Sequence, residues 1–320
     1  MVDAGGLNPP GRKAMRVRVP PRVLSMFLER YVKFDDFMID GELDFSFAYG
    51  SIENNGTVSV EFSYREQTVA PLASVTKLFS AIGVLVAVEE GSISLDDDVT
   101  LGDSIYVKSL LSHTSGLAPE GIPSLNGKEL TKLGTPGVRR IYSNLGYEVL
   151  ALYLEESVQM TFADYIAEAI IEPCGMQKTR FLKESFVPDG RGAAAGLTAT
   201  VEDLVLLVKA MVTPSVLSYS SLELLSKPFL PGIPGVLPGF GLMKDNLWSL
   251  GAEIKDSKRP HWGGTLNSPS TFGHFGRSGS LVWIDPENMR FLVFLSLKNF
   301  GKWAVELWPR LSDWVIQQGS

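Results

Sequence analysis

Ser74 and Lys77 stand three residues apart in Ala-Pro-Leu-Ala-Ser-Val-Thr-Lys (70 to 77), at the head of an apolar run that stops at Gly91. Leu78, Ile82, Leu85 and Val86 recur at spacings of three and four, which predicts one buried helix beginning near Ser74. Residues three apart on a helix share a face, so the hydroxyl and the ammonium point the same way, one turn apart. A serine hydroxyl is a weak nucleophile until a base takes its proton and donors hold the oxyanion. A lysine in a desolvated pocket supplies that base or tunes another, and the helix dipole favours negative charge at this end. The pattern is short, and Ser as a cap with Lys as a solvated charge is its plain structural alternative.

Two further groupings add chemistry. Tyr142-Ser143-Asn144 precedes the helical run of Leu145, Val149 and Leu152. Taken singly, these are a half-buried aromatic and a turn former. Beside a Ser-x-x-Lys helix, a phenol whose pKa is lowered by a nearby ammonium takes the serine proton, and a carboxamide orients an acyl group. His274-Phe275-Gly276 opens a strand-like segment in which alternation puts His274 and Gly276 on one face. Glycine there lets substrate approach the backbone, and the N–H after it is placed to donate to an oxyanion. A structural histidine before a turn is the bland alternative.

The elements that must position these groups follow from pattern. Pro21 to Lys33 has a helical apolar period after a Gly- and Pro-rich tail over residues 1 to 20. Phe45, Phe47 and Tyr49, with Leu43 before them, alternate on one face. Val58, Val60, Phe62 and Tyr64 do the same after Asn54-Asn55-Gly56, which predicts a β-hairpin. Thr161 with Asp164, and Thr200 with Asp203, read as helix N-caps with an acid in the first turn; Pro173 and Pro214 close those helices. Residues 228 to 241, rich in Pro and Gly, read as a loop that rims a pocket or merely connects. A second hairpin is expected over Ser280 to Ile284 and Phe291 to Leu297. A closing helix is expected over Trp303 to Ile316, with Pro309 kinking it or marking its true start. The fold class is therefore α+β: an antiparallel sheet built from both ends of the chain (21 to 95 and 247 to 320), with a mainly helical insertion over 96 to 246.

The composition closes off other classes. The 320 residues are 45% hydrophobic, enough for a large core, and a net charge of −7 with a pI near 5.2 gives no basic footprint for nucleic acid. The longest apolar run is too short to span a bilayer, and the N-terminus carries no apolar leader, so the default compartment is the cytoplasm. Cys174, alone, makes no internal disulfide and is expected to be structural. No Cys or His grouping has metal-ligand spacing, so neither metal nor cofactor is expected. Nothing in the pattern specifies an oligomeric state.

Ser74-x-x-Lys77, Tyr142-x-Asn144 and His274-x-Gly276 resemble, in order and approximate spacing, the motifs of the serine β-lactamase and penicillin-binding protein superfamily. The likeness is to its class C-like branch of esterases, D-specific peptidases and β-lactamases. Leu-Leu-Ser-His-Thr-Ser-Gly-Leu (110 to 117), Ile-Glu-Pro-Cys-Gly-Met-Gln-Lys-Thr-Arg-Phe (171 to 181) and the text from Gly273 to Glu287 resemble recurring phrases of that family, and the similarity runs over roughly residues 40 to 318. The resemblance implies Ser74 as the acylated nucleophile, Lys77 and Tyr142 as its activating network, and Asn144 as a substrate-orienting group. It implies the N–H groups of Ser74 and Arg277 as the oxyanion hole and His113 as structural. Lys77 and Tyr142 titrate as a coupled pair, so the base stays open between them. His261 and Trp262 either line the pocket or form a surface loop.

The third motif departs from the family's pattern. β-Lactamases usually have Lys-Thr-Gly there and peptidases often His-Thr-Gly, whereas Phe275 offers no hydrogen bond, and a carboxylate left poorly paired in a closed pocket is costly. The expected substrate is thus a small ester or amide and the expected activity that of a carboxylesterase. A D-amino-acid peptidase, a weak β-lactamase or an acyltransferase is the alternative, and a binding protein that has lost turnover is a third.

Overall fold

The computed structural model describes residues 38–39, 42–43, 45–100, 102–182 and 188–319. The expected tail over 1 to 20 and helix over 21 to 33 lie outside the described residues.

Two short strands, β1 (Met38–Ile39) and β2 (Glu42–Leu43), pair with each other. The predicted first hairpin follows as β3 (Phe45–Ile52) and β4 (Val58–Tyr64), turned at Gly56 with φ 81°. Next come β5 (Ala70–Pro71), a 3-10 turn Ala73–Val75, and α1 (Thr76–Glu89). The expected buried helix is present, with the correction that Ser74 sits on the tighter turn that leads into it. The helices α2 (Val107–Leu111), α3 (Asn144–Val158) and α4 (Phe162–Ile166) follow, α4 running into a π turn over Ala167–Ile171. After β6 (Arg180–Phe181) and β7 (Leu197–Ala199) come α5 (Val201–Val212) and α6 (Tyr219–Ser226). Thr161 and Thr200 cap as expected, each hydroxyl accepting the N–H three residues on, Asp164 and Asp203.

The stretch read as a Pro- and Gly-rich loop contains a small hairpin, β8 (Gly235–Leu237) and β9 (Gly241–Met243). Strands β10 (Glu253–Ile254), β11 (Phe272–Phe275), β12 (Leu281–Asp285) and β13 (Arg290–Ser296) complete the structure with α7 (Lys302–Gln317). Pro309 lies inside α7, so it does not mark its start.

The central sheet is antiparallel with order β10-β11-β12-β13-β3-β4, and β13 pairs with β3 through Phe294↔Phe47 and Leu292↔Tyr49. Alternation divides its residues between two layers. Phe47, Tyr49, Leu281, Trp283, Leu292 and Phe294 share a core with Leu307, Trp308 and Leu311 of α7, where the Trp283 indole N–H donates to Ser312 Oγ at 3.0 Å. Ala48, Val282, Ile284 and Val293 belong to the other core, which runs without a break into Leu78, Leu110, Leu150 and Leu207 of the helices. Burial on both faces explains why Leu281–Ile284 of β12 and Phe291–Leu295 of β13 are apolar without a break, whereas β4 at the sheet edge alternates with Ser59, Glu61 and Ser63. Among the described residues, no helix is long and apolar enough to cross a membrane. Cys174 is half-buried against the helical core.

Candidate active site

The turn bearing Ser74 is wedged between α1 and the end of β11. Ala73 takes a left-handed φ of 43°, the kind of strained backbone that persists where surrounding structure over-determines it. A Cβ on Gly276 would lie 2.3 Å from Leu72 O and 3.2 Å from Ala73 Cβ. The glycine is therefore required by the chain's own nucleophile turn, a reason the sequence did not supply. Ser74 is in the first turn of its helix, where N–H groups have no partner inside the helix, and the Arg277 N–H makes no backbone hydrogen bond. Among the described residues, the two expected oxyanion donors thus have no backbone partner.

Lys77 is fully buried one turn after Ser74. Its Nζ reaches Ser74 Oγ at 3.4 Å, Asn144 Oδ1 at 2.7 Å and Ala194 O at 2.8 Å, and lies 4.8 Å from the centre of the Tyr142 ring. Desolvation pulls its pKa from 10.5 down to about 7, against the opposing pull of Glu148 and Glu120. Tyr142 behaves contrary to the lowered phenol expected from sequence: burial pushes its pKa well up, and the contact with the Ser74 hydroxyl pulls it only partly back. At neutral pH it is a phenol.

The Tyr142–Asn144 segment is held by its neighbours. The Ser143 N–H donates to His113 Nδ1 at 3.1 Å, and the Ser143 hydroxyl donates to Ala118 O while accepting from the Gly146 N–H as the cap of α3. His113 is therefore structural, as the family phrase implies, with its ring 4.5 Å from that of Tyr142. His274 is buried with Nδ1 2.7 Å from Phe275 O. A carbonyl only accepts, so the ring carries its proton on Nδ1. Desolvation, with Lys77 nearby, takes its pKa to about 3, so it stays neutral.

A cavity of about 320 Å³ opens here, and Ser74, Tyr142, Asn144, His274, Phe275 and Arg277 all line it. Lys77 lies behind Ser74, and Gly276 packs on the turn. The β8–β9 hairpin supplies Leu237, Pro238 and Gly239 to the rim, so the Pro- and Gly-rich stretch does edge the pocket. Glu120, Trp248 and Glu253 also line it and were not singled out from sequence. His261 and Trp262 neither line the cavity nor form a surface loop. Both are buried, and His261 Nε2 lies 2.8 Å from Glu253 Oε2, behind the wall.

Glu148 is the other residue missed. It lies one turn after Asn144 on α3, fully buried, and accepts from the N–H groups of Arg191, Gly192 and Ala194. It thereby holds the Ala194 carbonyl that receives Lys77. A carboxylate between Tyr147 and Val149 on an apolar helix face was the available signal.

Comparison with known proteins agrees with this geometry. A beta-lactamase family model matches residues 46–312. A beta-lactamase from Mycobacterium bovis is 38% identical and superposes with a TM-score of 0.79, the match covering 89% of this chain and 97% of that one. Penicillin-binding protein 4* of Bacillus subtilis is 28% identical over 142 residues, 37% of this chain but only 32% of that protein's length. EstCE1, a hydrolase with promiscuous acyltransferase activity, shares the fold at a TM-score of 0.64 and 18% identity, over 84% of this chain and 92% of its own. The chain belongs to the beta-lactamase family of serine hydrolases and has the β-lactamase and transpeptidase fold.

Proposed function

We propose that the protein is a carboxylesterase acting on small esters through an acyl-enzyme on Ser74. Neutral Lys77 takes the Ser74 proton, directly or through the Tyr142 hydroxyl, as Oγ attacks the ester carbonyl. The resulting oxyanion is held by the N–H groups of Ser74 and Arg277. Collapse breaks the acyl C–O bond, the leaving alkoxide takes the proton back, and water repeats the sequence on the acyl-enzyme to release the acid. Lys77 is the better base because its pKa sits near working pH, whereas a buried phenol holds its proton.

The observation that carries the ester reading is the β11 wall. It offers a neutral His274 and an apolar Phe275, itself packed on Phe300 and Trp308, where a carboxylate-bearing substrate needs donors. A β-lactamase is the second reading, favoured by the Arg277 guanidinium at the cavity and by the 38% identity to the M. bovis protein.

A short-chain p-nitrophenyl ester and a chromogenic cephalosporin distinguish the two. Ester turnover is expected to exceed cephalosporin turnover, and Ser74→Ala to lower it by ~10⁴-fold or more. Efficient cephalosporin cleavage would make the second reading the right one. Turnover of neither, with no acyl adduct on Ser74 by intact mass, would leave a binding protein. The pH profile tests the base. kcat/KM is expected to rise with pH through about 7 as Lys77 loses its proton, and a flat profile between pH 6 and 8 would remove Lys77 from that role.

A further inference from the structure

Glu253 lines the cavity with both of its oxygens already engaged. Lys258 Nζ donates to one, and His261 Nε2 lies 2.8 Å from the other. The Gly263 N–H donates to His261 Nδ1 at 2.9 Å, so the ring proton is on Nε2 and the imidazole donates to the carboxylate. All three side chains are buried. Taking a lysine and a glutamate out of water costs about what their attraction returns, and an apolar pair of the same size is often as stable. Stability alone therefore does not account for this network.

What the network grips is the backbone beside Trp248. Lys258 Nζ donates to Leu247 O at 2.7 Å and to Ile254 O at 2.6 Å, and Trp248 bridges antiparallel to Glu253 itself. On the other side, Trp248 O accepts from the Phe229 N–H at 2.8 Å, and Phe229 O accepts from the Arg140 guanidinium at 3.0 Å. Trp248 is thus held through both of its peptide groups. Its indole stands edge-on to His113 at 4.7 Å and to His274 at 5.5 Å between ring centres, and lies 5.9 Å from the Tyr142 ring. An indole exchanges no proton at working pH, so what it supplies to these rings is their place.

We infer that Trp248 is a positioning residue for acylation of Ser74, fixing the Tyr142 and His274 rings around the serine, and that the Lys258–Glu253–His261 network and Arg140 hold it there. This rests on the acyl-enzyme reading above. Rings packed edge to face keep a set geometry, and a shift of about 1 Å at groups beside a nucleophile costs up to ~10²-fold in rate. The loss falls on the chemical step, because nothing that binds the substrate has been removed.

The test is a mutant cycle in p-nitrophenyl acetate turnover: wild type, Trp248→Phe, Glu253→Gln/Lys258→Met, and all three changes together. The paired change removes both charges at once and keeps an oxygen for His261 to donate to. Each arm is expected to lose ~10- to 100-fold in kcat with KM changed less than about twofold, and the combined variant to lose little more than either, because both arms displace the same indole. The acid limb is expected to stay at about 7, since the carboxylates that pull on Lys77 are Glu148 and Glu120. Losses that multiply, a folded Glu253→Gln/Lys258→Met protein with wild-type kcat, a rise confined to KM or a shifted limb each overturn the inference. Arg140→Lys, which loosens the Phe229 side of the grip, takes over that arm if the charge-free pair does not fold. The rate at which a fluorophosphonate labels Ser74, read by intact mass, separates the two levels. If Ser74 labels but no ester turns over, the ester reading fails, and the same cycle in labelling rates decides the inference. If wild-type Ser74 never labels, both fail.

Discussion

Lys77→Met is expected to abolish turnover and stabilise the protein in the same step. Loss of the base and of the 3.4 Å contact to Ser74 should reduce kcat/KM by ~10³-fold. The stability gain follows from linkage. Folding lowers the Lys77 pKa from 10.5 to about 7, so between those values the unfolded chain holds the proton more tightly than the folded one. The penalty is therefore complete below about pH 7, shrinks as pH rises, and is gone above 10.5. A shift of this size corresponds to several kcal/mol, of order 5 at its fullest. Methionine of similar length fills the space but leaves Ala194 O and Asn144 Oδ1 without their donor, which returns part of the gain. A net rise of ~1–3 kcal/mol is expected at pH 6, falling toward zero or below by pH 10, read by urea unfolding at both pH values. Equal stability at pH 6 would mean that the folded protein does not depress this lysine.

Glu148→Leu should do the opposite to stability. Three backbone N–H groups, those of Arg191, Gly192 and Ala194, converge on this one carboxylate in a buried place. Leucine leaves all three without an acceptor, each at ~1–3 kcal/mol, and a loss of ~3–5 kcal/mol is expected after relaxation. Glu148→Gln keeps one acceptor and should fold. With the anion gone, the upward pull on Lys77 goes with it, so the acid limb of kcat/KM should move to lower pH. The plateau should drop as the Ala194 carbonyl loses its fixed place. An unchanged limb in a folded Glu148→Gln would show that Glu148 acts on the backbone alone.

The apolar periods and caps were legible because they report short-range facts. The Ser74 helix, both hairpins, the Thr161 and Thr200 caps and the C-terminal helix each depend on residues within a turn or two. Ser74, Tyr142, Asn144 and His274 were legible as types whose chemistry requires one another, and the cavity does bring them together. The pKa of Tyr142 was not legible, because the sign of its shift depends on how deeply the hydroxyl is buried, which no neighbour in sequence records. One reason for Gly276 was not legible: the backbone it must admit belongs to Leu72, some two hundred positions earlier in the chain. Glu120 and Glu253 sit in segments without period, and only folding shows that one bonds to Asn144 at the cavity while the other is closed off by Lys258 and His261. Pro309 is inside α7 although proline there removes a helical hydrogen bond, and Trp308 and Leu311 on either side are anchored in the sheet's aromatic layer.

Because β3 finds its partner in β13, the sheet that supports the nucleophile is closed by strands from opposite ends of the chain. A ribosome making this protein delivers Ser74 about two hundred residues before β11, which must lean on the serine turn, and before β13, which must seal the sheet. Until those strands arrive the turn that bears Ser74 lacks the support of β11, and the proposed oxyanion donors, the N–H groups of Ser74 and Arg277, come together only once β11 has been made. Such distant pairing is also slow to form, and it leaves the edge of the early β3–β4 hairpin open until β13 arrives.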